Sequence, residues 1–249
     1  MYVIQSLQNT KVKEWKKLTT KKGRDKTGMF IAEGWHLTEE AVKAEAAVEV
    51  IVKEGVALPS YLDSADIHFV TEEIALALAE TEHTQGVFAV CKQSEADVEN
   101  LDLSNILLLD AIQDPGNIGT MIRTADAVGM DAVILGKGTA DPYNAKVLRS
   151  AQGSHYHLPI IKQDLLSAIE TCKRKGIPVY GTSLQNAEPY SKTSSQKKFA
   201  LIMGNEGAGM DEDLLNQTDH NLYIPIYGKS ESLNVAIAAG ILLYHLKSE

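Results

Sequence analysis

The chain has 249 residues, of which 44% are hydrophobic and 23% charged, a composition typical of soluble globular proteins of one or two domains. Its longest apolar runs are too short for a membrane span, and the start, MYVIQSLQNTKVKEW, lacks the apolar core of a secretory signal. The two cysteines, Cys91 and Cys172, match no metal or redox spacing, so we expect a reduced, cytoplasmic protein.

The first part of the chain predicts a small mixed α/β domain, residues 1–92. A basic helix from Asn9 or Thr10 to about Thr20 comes first, because both residue types cap helices. Period-two and period-3.6 patterns then predict strands at 28–34, 48–54, 66–71 and 86–92, and helices at 35–44 and 72–80. Residues 93–104 are polar and acidic, which predicts a linker.

The remaining residues, 105–249, predict a parallel α/β domain. Short and nearly continuous apolar runs, most separated by segments that could be helical, occur at 105–110, 131–136, 157–162, 176–183, 198–204 and 221–226. Strands that are buried on both faces and alternate with helices are typical of a parallel sheet. The last segment, 232–246, is apolar at nearly every turn and predicts a buried helix against a sheet or another subunit.

Charge is unevenly distributed along the chain. The net charge is −9, but the stretch from Lys11 to Lys26 carries +6 and leaves −15 for the rest. A dense basic stretch on an acidic protein predicts a local contact for RNA phosphates; the alternative is a solvated helix face. The candidate RNA-binding residues are Lys11, Lys13, Lys16, Lys17, Lys21, Lys22, Arg24 and Lys26.

Ligands of open α/β sheets bind beyond the carboxyl ends of the strands, so the loops there are the candidate sites. After the 105–110 run, Asn117 can cap a helix whose first two turns include Arg123. An ordinary capped helix is the alternative. After the 198–204 run, Gly204, Gly207 and Gly209 make a turn that permits close backbone approach to a ligand, or simply a tight connection.

The third loop follows the 221–226 run and contains Gly228-Lys229-Ser230, the end of a phosphate-binding loop. Tyr223 stands where that loop needs its first glycine, which excludes a P-loop nucleotide hydrolase. Ser232 and Asn234 then lie at the start of the last helix, where they can cap it or contact a ligand. No dinucleotide-binding glycine pattern occurs, and His155 and His157 lack a third metal ligand.

Together the three loops resemble a known family. DPGNIGTMIRTADAVGM, LIMGNEGAGM and IPIYGKSESLNVAIAAGILLY resemble the three motifs of the SpoU/TrmH branch of the SPOUT superfamily, the S-adenosylmethionine-dependent RNA 2′-O-methyltransferases. SLQNTKVKEWKKLTTKKGRDKTGMFIAEG resembles the substrate-binding extension of that family. The resemblance implies S-adenosylmethionine as cofactor, a deep trefoil knot in the C-terminal sheet, a homodimer, and no metal.

The resemblance also implies site residues. The implied cofactor-binding residues are Thr182, Gly204, Asn205, Gly207, Ile224, Ile226 and Leu233. The implied catalytic residues are Asn117, Arg123, Glu206, Ser232 and Asn234. A guanidinium is effectively always protonated, so we expect Arg123 to hold the target phosphate and stabilise charge on the attacking oxygen rather than to accept its proton.

The expected function is methylation of a ribose 2′-hydroxyl in structured RNA, with 23S rRNA ahead of tRNA. One alternative is a non-catalytic RNA-binding protein, which would be expected to lack the arginine or the glycine-rich turn. Another is a SPOUT enzyme that methylates a base nitrogen. Asn117, Arg123 and the Ser-Leu-Asn triplet favour methylation of ribose instead.

Overall fold

The computed structural model describes residues 2–62 and 65–247. The chain divides into two compact units: unit 1 is Met1–Gln93 with Tyr143–His157, and unit 2 is Ser94–Pro142 with Leu158–Glu249. The strands are β1 (Val3–Ile4), β2 (Met29–Glu33), β3 (Ala47–Lys53), β4 (Ile67–Val70), β5 (Val87–Lys92), β6 (Asn105–Leu109), β7 (Ala132–Leu135), β8 (Ile160–Lys162), β9 (Val179–Thr182), β10 (Glu188–Pro189), β11 (Phe199–Met203) and β12 (His220–Tyr223).

The α-helices follow the same chain order. They are α1 (Thr10–Leu18), α2 (Lys21–Thr27), α3 (Trp35–Lys43), α4 (Glu72–Leu78), α5 (Pro115–Val128), α6 (Ala145–Ala151), α7 (Leu165–Arg174), α8 (Glu212–Leu215) and α9 (Val235–Leu246). Short 3-10 helices occupy Ser60–Leu62, Val98–Asn100, Ser154–Tyr156 and Tyr190–Lys192. No helix within the described residues is long and apolar enough to cross a membrane.

Unit 1 is built on a mixed sheet with the order β1-β4-β3-β5-β2. Strands β3 and β4 are parallel, whereas β5 is antiparallel to both β3 and β2. The predicted strands and helices of this region are present, each within a few residues of the predicted bounds. Helix α1 buries Val12, Trp15 and Leu18 against this unit's core, so Lys13, Lys16 and Lys17 are left on the outer face.

The basic stretch forms the predicted helix, α1, and a second short helix, α2, after it. Helix α1 ends at Leu18, and Thr20 then caps α2, its hydroxyl oxygen accepting a hydrogen bond from the Gly23 N–H at 3.2 Å. The two helices approach so closely that a Cβ on Gly23 would overlap the Lys17 carbonyl oxygen. Glycine at this position therefore permits the turn that reorients the second half of the stretch.

Residues Tyr143–His157 pack with unit 1, although they follow β7 in the chain. Tyr143 stacks on Phe30 with ring centroids 4.6 Å apart, and Leu148 of α6 joins the same apolar cluster. The predicted domain of residues 105–249 includes this segment. The predicted linker, 93–104, contains a 3-10 helix and packs Val98 and Leu103 into the core of unit 2. The boundaries at 92 and 105 stay a prediction.

Unit 2 contains the predicted parallel sheet, with the order β10-β12-β9-β11-β6-β7-β8 and every pairing parallel. Strands β6, β7 and β11 are buried along their whole length, which is why their sequences are continuous apolar runs. The α/β class is thus confirmed. The trefoil knot that the resemblance implies stays a prediction.

The last helix, α9, is buried on one face only. Ala239, Leu242 and Leu243 are buried, and the helix packs against α5 and β11. On the other face Ile237 is 56% exposed and Tyr244 is 63% exposed. Within unit 2, therefore, the predicted buried helix keeps an apolar outer face.

Candidate functional site

A cavity of about 460 Å³ lies in unit 2 beyond the carboxyl ends of β9, β11 and β12, where open α/β sheets bind ligands. It is lined by residues after each of these strands and from the start of α9. The lining residues are Thr182, Ser183, Leu184, Met203, Gly204, Asn205, Glu206, Gly209, Leu222, Tyr223, Ile224, Ile226, Glu231, Ser232, Leu233, Asn234, Val235, Ala238 and Leu242. Its volume suits a small organic molecule.

A tight turn after β11 supplies part of the cavity lining. Asn205 and Gly209 exchange two backbone hydrogen bonds, of 2.9 and 3.0 Å, which bring the two ends of the turn together. A Cβ on Gly204 would lie 2.5 Å from the carbonyl carbon of Gly209 and closer still to the backbone nitrogen of Met210. Any side chain at 204 would therefore force this turn apart.

The loop after β6 holds the same turn from the other side. The buried Asp110 carboxylate accepts a hydrogen bond from the Asp211 N–H at 2.8 Å, and the Asn205 side-chain amide donates to the Ala111 carbonyl at 2.7 Å. Burial raises the pKa of Asp110, and the hydrogen bond from Asp211 partly offsets this effect. Ala111 has a φ of 51°, an unfavourable backbone conformation that these contacts maintain.

Glu206 connects the turn to the N-terminus of α5. Its carboxylate accepts hydrogen bonds from the N–H groups of Gln113 at 3.2 Å and Asp114 at 3.1 Å, and from the Asn117 side-chain amide at 3.1 Å. Partial burial would raise the pKa of Glu206, but these hydrogen bonds outweigh it and hold the pKa below its ordinary value of 4.5. The carboxylate is thus kept charged beside the positive end of the α5 dipole.

Asn117 is held from two directions. Its side-chain oxygen accepts a hydrogen bond of 2.9 Å from the Asn234 side-chain amide, while its own amide donates to Glu206. The Asn234 side-chain oxygen in turn caps α9, accepting from the N–H groups of Ala236 and Ile237. Glu206, Asn117 and Asn234 therefore form one hydrogen-bonded chain, of which Glu206 and Asn234 line the cavity.

The structure brings most of the predicted residues together. Thr182, Gly204, Asn205, Ile224, Ile226 and Leu233 all line the cavity, as do Glu206, Ser232 and Asn234. Gly207 is not in the lining; its N–H donates to the Asn205 side-chain oxygen at 3.0 Å and so stabilises the turn. Arg123 is exposed on α5. Among the described residues no hydrogen bond or ion pair holds its guanidinium, which leaves it available to an anionic ligand.

The sequence did not predict every residue of the site, and Asp110 and Leu184 are two examples. Asp110 ends the predicted 105–110 strand, and an acidic residue at a strand end was an available signal. Leu184 lines the cavity although it lies outside the three motifs, in a polar loop after β9 that has no apolar pattern. No sequence signal pointed to Leu184.

The predicted RNA-binding residues of unit 1 fall into three groups. Lys13, Lys16, Lys17, Lys21, Lys22 and Lys26 are exposed on α1 and α2. Lys11 is partly buried, with its ammonium 3.1 Å from a Glu49 carboxylate oxygen and 2.9 Å from the His68 ring. Arg24 is only 5% exposed and donates to the Leu18 carbonyl. It therefore stabilises the contact between α1 and α2 and is not presented on the surface.

Neither the cysteines nor a metal cluster adds to the candidate sites. Cys91 and Cys172 are buried and unpaired, and burial raises their pKa to about 12 and about 11. Both therefore stay protonated thiols at neutral pH. Within residues 2–62 and 65–247, no group of three or more His, Cys, Asp or Glu residues could hold a metal ion.

The fold resembles that of solved methyltransferases. The AdoMet-bound rRNA methyltransferase from Sinorhizobium meliloti superimposes with a TM-score of 0.87 and 31% sequence identity, over 98% of this chain and 97% of that one. The SpoU methyltransferase AviRb from Streptomyces viridochromogenes, in complex with AdoMet, gives a TM-score of 0.85 and 26% identity over 96% of this chain and 97% of that one. In both cases the likeness spans both units.

Family models and a curated relative agree with this likeness. The model of the MRM3-like substrate binding domain matches residues 9–89, and that of the SpoU rRNA Methylase family matches residues 104–244. The 23S rRNA (guanosine(2553)-2′-O)-methyltransferase RlmP of Bacillus subtilis (strain 168) is 52% identical over 99% of this chain and 100% of its own length. A family model that spans more than half of the chain, together with this identity, shows that the protein belongs to the SpoU rRNA methylase family.

Proposed function

We propose that this protein transfers a methyl group from S-adenosylmethionine to the ribose 2′-hydroxyl of a guanosine in 23S rRNA, at the position equivalent to 2553. The observation that carries the proposal is the hydrogen-bonded chain of Glu206, Asn117 and Asn234 at the edge of the cavity. It presents fixed polar groups where a ribose would meet a cofactor. The guanosine target follows the 52% identical relative.

The cavity fits the cofactor. Its volume, about 460 Å³, suits a nucleoside-sized molecule, and Gly204 lets the backbone of Gly209 and Met210 pack directly against a lining residue. We assign cofactor binding to Thr182, Gly204, Asn205, Ile224, Ile226 and Leu233, with Gly207 supporting the turn. When bound, S-adenosylmethionine supplies a methyl group on a positively charged sulfur.

The protein's own contribution is to position the ribose and stabilise charge. Asn234 and Ser232 line the cavity, where they can hold the sugar hydroxyls, and Asn117 fixes the Asn234 amide. Glu206 orients Asn117 and stays charged at neutral pH. Arg123, exposed on α5, would hold the target phosphate through its planar fork and stabilise negative charge as the hydroxyl loses its proton.

RNA docking is assigned to unit 1. The exposed lysines of α1 and α2 lie within the region that matches a substrate-binding domain, and phosphate contacts of this kind position an RNA without reading its sequence. We also propose a homodimer, because α9 exposes Ile237 and Tyr244, and an apolar helix face of this kind suits a second copy of the chain. The cytoplasmic location stays a proposal.

The proposal is tested by mapping ribose methylation in total RNA from cells with and without this protein. We expect one ribose-methylation signal of 23S rRNA to be absent from cells without the protein. It should return on complementation with the wild-type chain but not with Arg123→Ala. The purified protein should also methylate an unmodified transcript that contains that position. Loss of a tRNA signal instead would transfer the proposal to tRNA, and an unchanged map would leave a non-catalytic RNA-binding role.

A further inference from the structure

One strongly exposed aromatic side chain lies next in the chain to a residue that lines the cavity. Tyr227 is 94% exposed and directly follows Ile226, which lines the cavity. Leu184, another lining residue, is 83% exposed. Among the described residues no hydrogen bond or ring contact involves the Tyr227 side chain. Single exposed apolar residues are common, but Leu184 lines the cavity and Tyr227 is the chain neighbour of Ile226, which also lines it.

The proposed reaction determines which part of the RNA must enter the cavity. The target ribose has to reach the cavity, and its base, attached to the same sugar, then has to lie near the mouth. Asn234 and Ser232 offer polar groups suited to a sugar, whereas Leu184 and Tyr227 offer apolar surface. Flat bases that are unstacked from RNA bind to aromatic side chains, and each such stack contributes substantially to affinity.

The local backbone suits this role. The Ser230 hydroxyl donates to the Ser232 carbonyl at 2.8 Å, which orders the second half of the loop, and no atom lies within 4 Å of the place where a Cβ on Gly228 would stand. The space beside the Gly228 backbone is therefore open, and the Tyr227 side chain itself is almost fully exposed. A planar ligand can approach the tyrosine without displacing protein atoms.

We propose that Tyr227 stacks on the base of the target nucleotide and holds its ribose at the cavity mouth, with Leu184 as a second apolar contact. This inference rests on the proposed function. Stacking is tolerant of base identity because every base has a π face. Tyr227 thus selects a nucleotide that can leave its helix, while docking by other parts of the protein selects the position along the RNA.

The test uses the full chain, S-adenosylmethionine and an unmodified 23S rRNA transcript that contains the equivalent of position 2553. Tyr227→Ala should lower kcat/KM for the transcript by roughly 5- to 150-fold, the range expected for loss of one base stack, with unchanged cofactor affinity in calorimetry. Tyr227→Phe should keep near-normal activity because the ring remains. Tyr227→Leu, apolar but without a ring, should behave more like the alanine variant. Leu166→Ala, at an exposed position on α7, is the control and should change nothing.

A second measurement reports stacking directly. Tryptophan fluorescence of Tyr227→Trp should be quenched when the transcript is added, beyond any change of Trp15 and Trp35 in the wild type. If the wild type methylates the transcript and Tyr227→Ala is equally active, the inference is overturned but the proposed function stays intact. Dissociation of the alanine variant into monomers in sedimentation would also overturn it, because Tyr227 would then contact a partner copy. A wild type that is inactive on the transcript would remove the proposed function, and the inference with it.

Discussion

The side chain of Asn234 donates a hydrogen bond of 2.9 Å to the side chain of Asn117, although 117 residues separate them in the chain. Asn234 caps α9, and Asn117 lies in the first turn of α5. The bond therefore joins the starts of the two helices that carry the first and third motifs. Through Asn117 it also reaches Glu206, which belongs to the second motif. Asn117 of the first motif thus links the second motif to the third.

Replacing Arg123 should separate catalysis from cofactor binding. Arg123→Ala should lower methyl transfer by at least about a hundredfold, the effect expected when a preorganised charge-stabilising donor is lost. Cofactor affinity should stay unchanged, because Arg123 does not line the cavity. Arg123→Lys should restore little activity, since lysine lacks the planar fork. Single-turnover methylation and calorimetry measure the two quantities, with Arg174→Ala, an exposed arginine of the same unit, as control. Near-normal turnover of Arg123→Lys would contradict the assigned role.

Removing the Glu206 charge should change the pH dependence of stability. The folded pKa of Glu206 lies below its ordinary value of 4.5, so its contribution is fully present above that value and is lost as the pH falls through the folded pKa. Glu206→Gln places an amide against N–H donors and should be less stable than the wild type at pH 7, with the difference shrinking in acid. Urea unfolding at pH 7 and below pH 4.5 measures this. A difference that stayed constant with pH would exclude a charged Glu206.

Two glycines of the same turn should respond differently to a methyl group. Gly204→Ala should abolish cofactor binding, because the new Cβ would lie 2.5 Å from the Gly209 carbonyl carbon. Gly207→Ala should bind nearly normally, since its Cβ would meet only the Asn205 side-chain oxygen at 3.7 Å. A bulkier Gly207→Val is predicted to abolish binding only if position 207 contacts the adenosyl group. Calorimetry with S-adenosylmethionine on folded variants distinguishes these cases, and normal binding by Gly204→Ala would refute the importance of the close approach.

Neutralising the basic helices should weaken RNA binding in a salt-dependent way. Lys16, Lys17, Lys21 and Lys22 are all exposed, so changing all four to Gln should flatten the log–log salt dependence by roughly one unit per lost phosphate contact. A matched control changes four exposed lysines of unit 2: Lys173, Lys192, Lys197 and Lys198. Filter binding to the transcript at several salt concentrations gives both slopes. If the two quadruple variants had equal slopes, the helices would be merely a solvated face.

A charge on the outer face of α9 should separate the proposed dimer. Ile237→Glu and Tyr244→Glu each place a carboxylate on a face that is apolar and exposed within one chain. We expect monomers in sedimentation and retained secondary structure in circular dichroism. Leu76→Glu, at a comparably exposed position in unit 1, is the control and should keep the wild-type mass. A wild type that sediments as a monomer would contradict the dimer itself.

The sequence by itself determined six of the seven strands described in unit 2, all except β10, and the three loops that carry the motifs. Strands such as β6 and β11 are buried on both faces, so each must be a continuous apolar run, and such runs are visible without a structure. Parallel strands place the loops after their carboxyl ends at one edge, so Asn117, Glu206 and Asn234 could be expected near one another. The basic stretch on an acidic chain was equally visible.

Only the tertiary structure decided how particular side chains are used. Arg24 and Lys22 look alike in the sequence, but the turn at Thr20 buries Arg24 against the Leu18 carbonyl and leaves Lys22 exposed. The apolar pattern of α9 could not show that Ile237 faces outward, because nearly every position in that helix is apolar. Nor could any local pattern show that Asn234 reaches Asn117. Hydrogen bonding and burial depend on distances of a few ångströms between segments far apart in the chain, and packing alone sets those distances.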